Sequence, residues 1–187
     1  MAVAGSFVAE WELSSPRGAP PTRGEGDNYL EKRREVFMPA TGNSSALRNG
    51  RFSEAGRVYL VTFTTADRLP WFSGFEPGRI VVSVLKNESQ FSKILAFVVM
   101  PDHVHWLVQL ERKSLYKTVQ TVKSVSAHRM NRLFGRSGSV WQDGFHDHAV
   151  RKDEDILHLA RYVVMNPVRA GLVDPIRRYP FWDAVWL

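Results

Sequence analysis

The chain contains no cysteine. That excludes disulfides, thiolate nucleophiles and zinc–thiolate sites, and leaves histidine, carboxylates and side-chain amides to hold any metal. No apolar run is long enough to cross a bilayer, so a membrane span is not expected. The opening MAVAGSFVAEWELSSP has no basic n-region and carries Glu10 and Glu12, which argues against a secretory signal. A cytoplasmic location is the expectation. What the chain does have is an excess of cations, 25 Lys and Arg against 19 Asp and Glu, for a net charge of +6. Such a balance favours polyanionic partners, nucleic acid before anionic membrane.

A length of 187 residues suits one domain with a proper core. Residues 1–45 differ in texture from the rest. Pro16, Pro20 and Pro21, with scattered Gly, Ser, Arg and Glu, interrupt any apolar period, and the segment reads as a disordered leader. Within it, EKRRE at 31–35 is a candidate basic arm. Residues 46–187 are expected to form a single domain.

From Arg57 the chain becomes periodic. Val58 to Thr64 is rich in β-branched and aromatic residues and predicts a strand. Gly78 to Glu88 places Ile80, Val81, Val84 and Leu85 at helical spacing. Ile94 to Met100 is near-continuously apolar, as in a strand covered on both faces. After the turn at Pro101-Asp102, His103 to Leu110 alternates as the next strand. Ser114 to Phe134 predicts a long helix, Phe145 to Val150 a short strand, and Asp153 to Met165 a second amphipathic helix. An aromatic tail, YPFWDAVWL, closes the chain. Strand, helix, two strands, helix, strand, helix predicts an α+β fold, with helices packed on an antiparallel sheet in a ferredoxin-like plan.

Two H-x-H pairs stand out, His103/His105 and His146/His148. On a strand, alternate residues share a face, so each pair presents two imidazoles side by side, half of a metal site. For an isolated pair, histidines satisfied by backbone or a neighbouring carboxylate are the plainer reading. On the last helix, Ile156, Leu159, Ala160, Val163 and Val164 form the buried stripe, and Asp155, His158, Tyr162 and Asn166 line another face. A tyrosine followed one turn later by an amide can present a phenol nucleophile and a metal ligand together. The plainer reading makes Tyr162 a boundary aromatic and Asn166 a helix-end residue before Pro167. Lys117, Lys123, Arg129 and Arg132 either track phosphates or form a solvated helix face. Trp106 and Trp141 either stack bases or pack in the core.

Taken in order, MPDHVHWL, VWQDGFHDHAVR, ARYVVMNPVRAGLV and YPFWDAVWL resemble the bacterial REP-associated tyrosine transposases, relatives of the IS200/IS605-like single-tyrosine transposases. The likeness runs from near Leu47 to Leu187, about three quarters of the chain. It implies the HUH endonuclease version of the fold, with His103 and His105 as metal ligands and Tyr162 as nucleophile. In the insertion-sequence branch a glutamine follows the tyrosine by one helical turn and completes the metal site. Here that place holds Asn166. The resemblance further implies Mg²⁺ or Mn²⁺, single-stranded hairpin or palindromic-repeat DNA as partner, and a monomer or weak dimer. The expected chemistry is strand cleavage and rejoining through a 5′-phosphotyrosine, with His158 as candidate base. The alternative is a catalytically inactive hairpin-DNA-binding regulator of the same fold. A hydrolase using both histidine pairs is a third reading.

Overall fold

The structure, a computed structural model, describes residues 53–152 and 154–186. The leader expected over 1–45 lies outside the described residues. Five strands form one antiparallel sheet in the order β4-β1-β3-β2-β5. They are β1 (Val58–Thr64), β2 (Ser92–Val99), β3 (His103–Leu110), β4 (His146–Ala149) and β5 (Trp182–Ala184). Helices α1 (Phe75–Glu88), α2 (Leu115–Leu133), α3 (Ile156–Val164) and the single turn α4 (Asn166–Arg169) complete the domain. The α+β plan read from the periodicities is the plan observed. No helix among the described residues is long and apolar enough to cross a membrane.

The central register decides what each face carries. Thr62 lies opposite His105, Thr64 opposite His103, and Leu60 opposite Leu107. These residues therefore share one face, while Phe63, Val104 and Trp106 point to the other. On that second face, Phe63 packs against Trp141 with ring centroids 4.8 Å apart, and Trp141 Nε1 donates to Ser126 Oγ of α2 at 2.9 Å. Helices α1 and α2 pack together over this layer. The first face is covered differently. Helix α3 packs on β2, β3 and β5 and buries Ala160, Val163 and Val164. Each of the two valines, removed from water, contributes about 1.5–3 kcal/mol at full burial.

Several boundaries differ from expectation for local reasons. Helix α1 begins at Phe75 rather than Gly78, since Pro77 falls in the first turn, where a missing N–H costs nothing. The last helix starts after Asp155, whose carboxylate caps the N–H groups of Leu157 and His158, and it ends at Val164. Asn166 then opens α4, a further turn beyond the helix expected from the sequence. The aromatic tail contains a strand that periodicity over three residues could not signal. Its anchor is an aromatic clasp: Tyr179 Oη donates to Val99 O at 2.7 Å, and Phe181 lies on α1 at Gly78.

At Gly78 an added Cβ would stand 2.6 Å from the Phe181 ring. Gly78→Ala is therefore expected to destabilise the fold by about 1–3 kcal/mol through overpacking. In urea denaturation, Phe181→Leu in the same chain should restore part of the loss. An unchanged midpoint for Gly78→Ala would contradict this packing.

Candidate metal and nucleophile site

Strand β3 delivers His103 and His105 to one face, and hydrogen bonds on their far sides aim both rings. His103 Nδ1 meets Asp102 Oδ1 at 2.5 Å, and His105 Nδ1 meets Thr62 Oγ1 at 2.8 Å. The two Nε2 atoms converge to 3.2 Å, with ring planes 86° apart. Donation of Nδ1–H to Asp102 leaves a lone pair on His103 Nε2. The Thr62 hydroxyl can accept from His105 Nδ1–H, which leaves the second Nε2 in the same state. Adjacent ligands at about 2.1 Å from one ion, meeting at about 90–110°, stand about 3.0–3.4 Å apart. The observed spacing fits that bite.

The electrostatics of His105 agree with a neutral ring. Burial, then the neighbouring charges of His103 and Arg169, push His105 down to about 3. Burial alone would raise Asp102, but the hydrogen bond and charge of His103 and the Arg68 guanidinium hold its carboxyl below the usual range. Arg68 Nη1 reaches Asp102 Oδ2 at 3.4 Å from a turn in which Asp67 and Arg68 both adopt positive φ, 54° and 55°. Side chains adopt that conformation at a cost of about 1–3 kcal/mol each.

Helix α3 contributes the rest. Tyr162 is half-buried, and the Arg169 guanidinium lies over its ring at 3.9 Å while Arg169 Nη2 donates to Tyr162 O at 2.8 Å. The positive charge of the same guanidinium disfavours protonation of His105. Asn166 Nδ2 donates to the carbonyls of Tyr162 and Val163 at 3.1 and 3.0 Å, the helix-end chemistry read at this position from the sequence. His158 is exposed one turn before Tyr162.

The second histidine pair shares the sheet face but not the site. Thr62 pairs with His105 on one side and His146 on the other, which puts the two pairs about 9–10 Å apart across two strand spacings. His148 Nε2 is held by Glu154 at 2.8 and 2.9 Å, and His146 is exposed. Among the described residues, no three or more His, Asp or Glu gather as a metal cluster. A hydrolytic centre built from both pairs therefore lacks the necessary convergence.

The cations of α2 lie on the layer opposite His103 and His105. Lys117, Arg129 and Arg132 are exposed, with Arg129 Nη1 on Ser83 Oγ at 3.1 Å. Lys123 is drawn inward, its ammonium donating to the carbonyls of Gln142 and Gly144 at 2.7 and 2.6 Å. Trp106 and Trp141 are buried, so their role is packing. The sequence reading overlooked Arg68 and Arg169. Arg169 follows Tyr162 by seven residues, two helical turns, a spacing that could have flagged it; nothing local marks Arg68.

A family model described as "Transposase IS200 like" matches residues 59–166, from β1 through both imidazoles and Tyr162 to Asn166. The chain belongs to the IS200-like transposase family. Within it, a Haemophilus influenzae protein named as a REP-associated tyrosine transposase is 31% identical over 98 residues, covering 46% of this chain and 56% of the relative. A REP-associated tyrosine transposase of Escherichia coli is 28% identical over 105 residues, covering 55% and 60%. The matches thus span little more than half the length of these relatives. A solved REP-associated tyrosine transposase bound to a REP hairpin superposes with a TM-score of 0.59 at 21% identity, covering 72% of this chain and 81% of that one. That likeness establishes the shared α+β transposase fold.

The depressed His105 gives this family member a definite pH response. An unfolded histidine takes up a proton near pH 6.5, whereas the folded His105 refuses one until about pH 3. Stability contributed by this residue is therefore lost as pH falls from about 6.5 toward 3, by up to ~1.4 kcal/mol per unit. Urea midpoints of metal-free protein should show a flatter slope over this window for His105→Gln. Parallel slopes for the two proteins would contradict the assignment.

Proposed function

We propose that this transposase-family chain is a metal-dependent strand transferase acting on single-stranded hairpin DNA with palindromic repeats. Tyr162 is its nucleophile. The observation that carries the reading is the pair of Nε2 atoms 3.2 Å apart, anchored from behind by Asp102 and Thr62, on the face over which the Tyr162 helix packs. His103 and His105 would hold Mg²⁺ or Mn²⁺, and the amide oxygen of Asn166, oriented by its two Nδ2 bonds, is the candidate third donor. Bound there, the ion would supply positive charge to the oxygens of the scissile phosphate.

The chain's own residues account for the remaining steps. The Tyr162 oxygen forms a bond to phosphorus as the bond from phosphorus to the 3′ oxygen breaks. The phenol proton is balanced by the proton gained at the departing 3′ oxygen. The products are a 5′-phosphotyrosine and a free 3′-hydroxyl, and since one ester replaces another, rejoining is the same step reversed. A phenol ordinarily ionises near pH 10, so attack at neutral pH benefits from a base. His158 is assigned that role, one turn before the phenol on α3. Exposed Lys117, Arg129 and Arg132 belong to the opposite layer, where they meet a hairpin stem or flank rather than the scissile phosphate. A monomer or weak dimer would suffice, since every group named lies in one chain. The solved relative's bound REP hairpin supports hairpin DNA as the substrate class.

Incubation of the full chain with a DNA hairpin carrying a single-stranded flank, in Mn²⁺, should give a protein–DNA adduct that survives denaturation and is absent in Tyr162→Phe. Binding with no adduct would instead favour the non-catalytic regulator. His158→Gln should slow adduct formation by about 10²-fold or more at neutral pH, with the deficit shrinking toward pH 10. A deficit constant with pH would remove His158 as base. Thr62→Val should weaken Mn²⁺ binding, followed by paramagnetic resonance, by about 10–100-fold. Unaltered affinity would contradict the role given to the threonine.

A further inference from the structure

Arg169 has no place in the mechanism above, yet its side chain contacts Tyr162 twice. Its guanidinium covers the Tyr162 ring at 3.9 Å and donates to the Tyr162 carbonyl at 2.8 Å. It is exposed. The break at Met165 and Asn166 matters here, because α4 is a separate turn that carries Arg169 back along the end of α3. A guanidinium is a planar fork of donors that matches phosphate oxygens two at a time and retains its charge at any working pH.

We propose that Arg169 is a phosphate-binding residue of the transfer site, receiving the scissile phosphate beside the Tyr162 ring. Stacking fixes the ring's orientation, and the same group draws the anionic phosphate to the phenol. This rests on the strand-transfer reading for the identity of the phosphate, but not for the contact itself. A guanidinium that only propped the helix end would not single out one phosphate of the flank.

The experiment compares salt dependence of binding to a fluorescent DNA hairpin with a single-stranded flank, in a Tyr162→Phe background with chelator present. Arg169→Gln should bind about tenfold more weakly, and the slope of log affinity against log salt should shrink by about 0.7, the loss of one phosphate contact on a single strand. Arg169→Lys should keep the slope while slowing adduct formation in the Tyr162 protein, since a lysine retains the charge but not the planar stack. Thermal melts of each variant establish that folding is intact. A neutral methylphosphonate stepped along the flank should bring wild-type and Arg169→Gln affinities together at one position, the junction where the adduct forms. An unchanged salt slope in folded Arg169→Gln, or convergence away from that junction, overturns the proposal. Absence of any DNA binding overturns it together with the proposed function. A wild-type chain that binds with the expected slope but forms no adduct sinks strand transfer alone and leaves the phosphate contact standing.

Discussion

Thr62 Oγ1 to His105 Nδ1, His105 Nε2 to His103 Nε2, and His103 Nδ1 to Asp102 Oδ1 form one line of polar contacts across the middle of the sheet. The line exists because β1 and β3 pair in a single register. A slip of one residue would turn Thr62 away and set a side chain of the opposite face beneath His105. The apolar residues enforce that register, since Phe63, Val104 and Trp106 are buried on the reverse face and could not be exposed without a large loss of burial. Core packing thereby fixes the imidazole geometry. The polar face inherits its precision from an apolar one.

The same logic separates two chemically identical motifs. His146 and His148 lie on the same sheet face as His103 and His105, but on the edge strand β4, with β1 between them and β3. His148 is engaged by Glu154, whose carboxylate also accepts from the Arg151 N–H at 2.6 Å, so this pair serves the turn leading into α3. His103 and His105 occupy an inner strand, where β1 supplies a hydroxyl behind one ring and the preceding turn supplies a carboxylate behind the other. Position in the sheet, rather than the spacing of the histidines, distinguishes them.

Much of this was legible in the residues. Alternation in His103 to Leu110 and the β-branched run of β1 give strands at their observed bounds, and the stripe Ile156 to Val164 gives the helix that carries Tyr162. Those signals are local and extend over at least seven residues. The three-residue strand β5 was not legible, because it is made by pairing with β2 and by the clasp of Tyr179 and Phe181. The helix end before Asn166 was legible from Pro167, and the amide there binds the carbonyls behind it; the extra turn from Asn166 to Arg169 was not. Arg68 reaches Asp102 only through a turn whose positive φ values no residue type there announces. The motif H-x-H marked both histidine pairs equally; only the sheet order told them apart.

The central claim is that the inner imidazoles hold one divalent ion beside Tyr162. Anomalous diffraction from crystals of the chain soaked in Mn²⁺ tests it most directly. The account predicts a single strong peak within bonding distance of Nε2 of both His103 and His105, with the Tyr162 hydroxyl facing the same opening. A peak at His146 and His148 instead, or none between the inner pair, would contradict it.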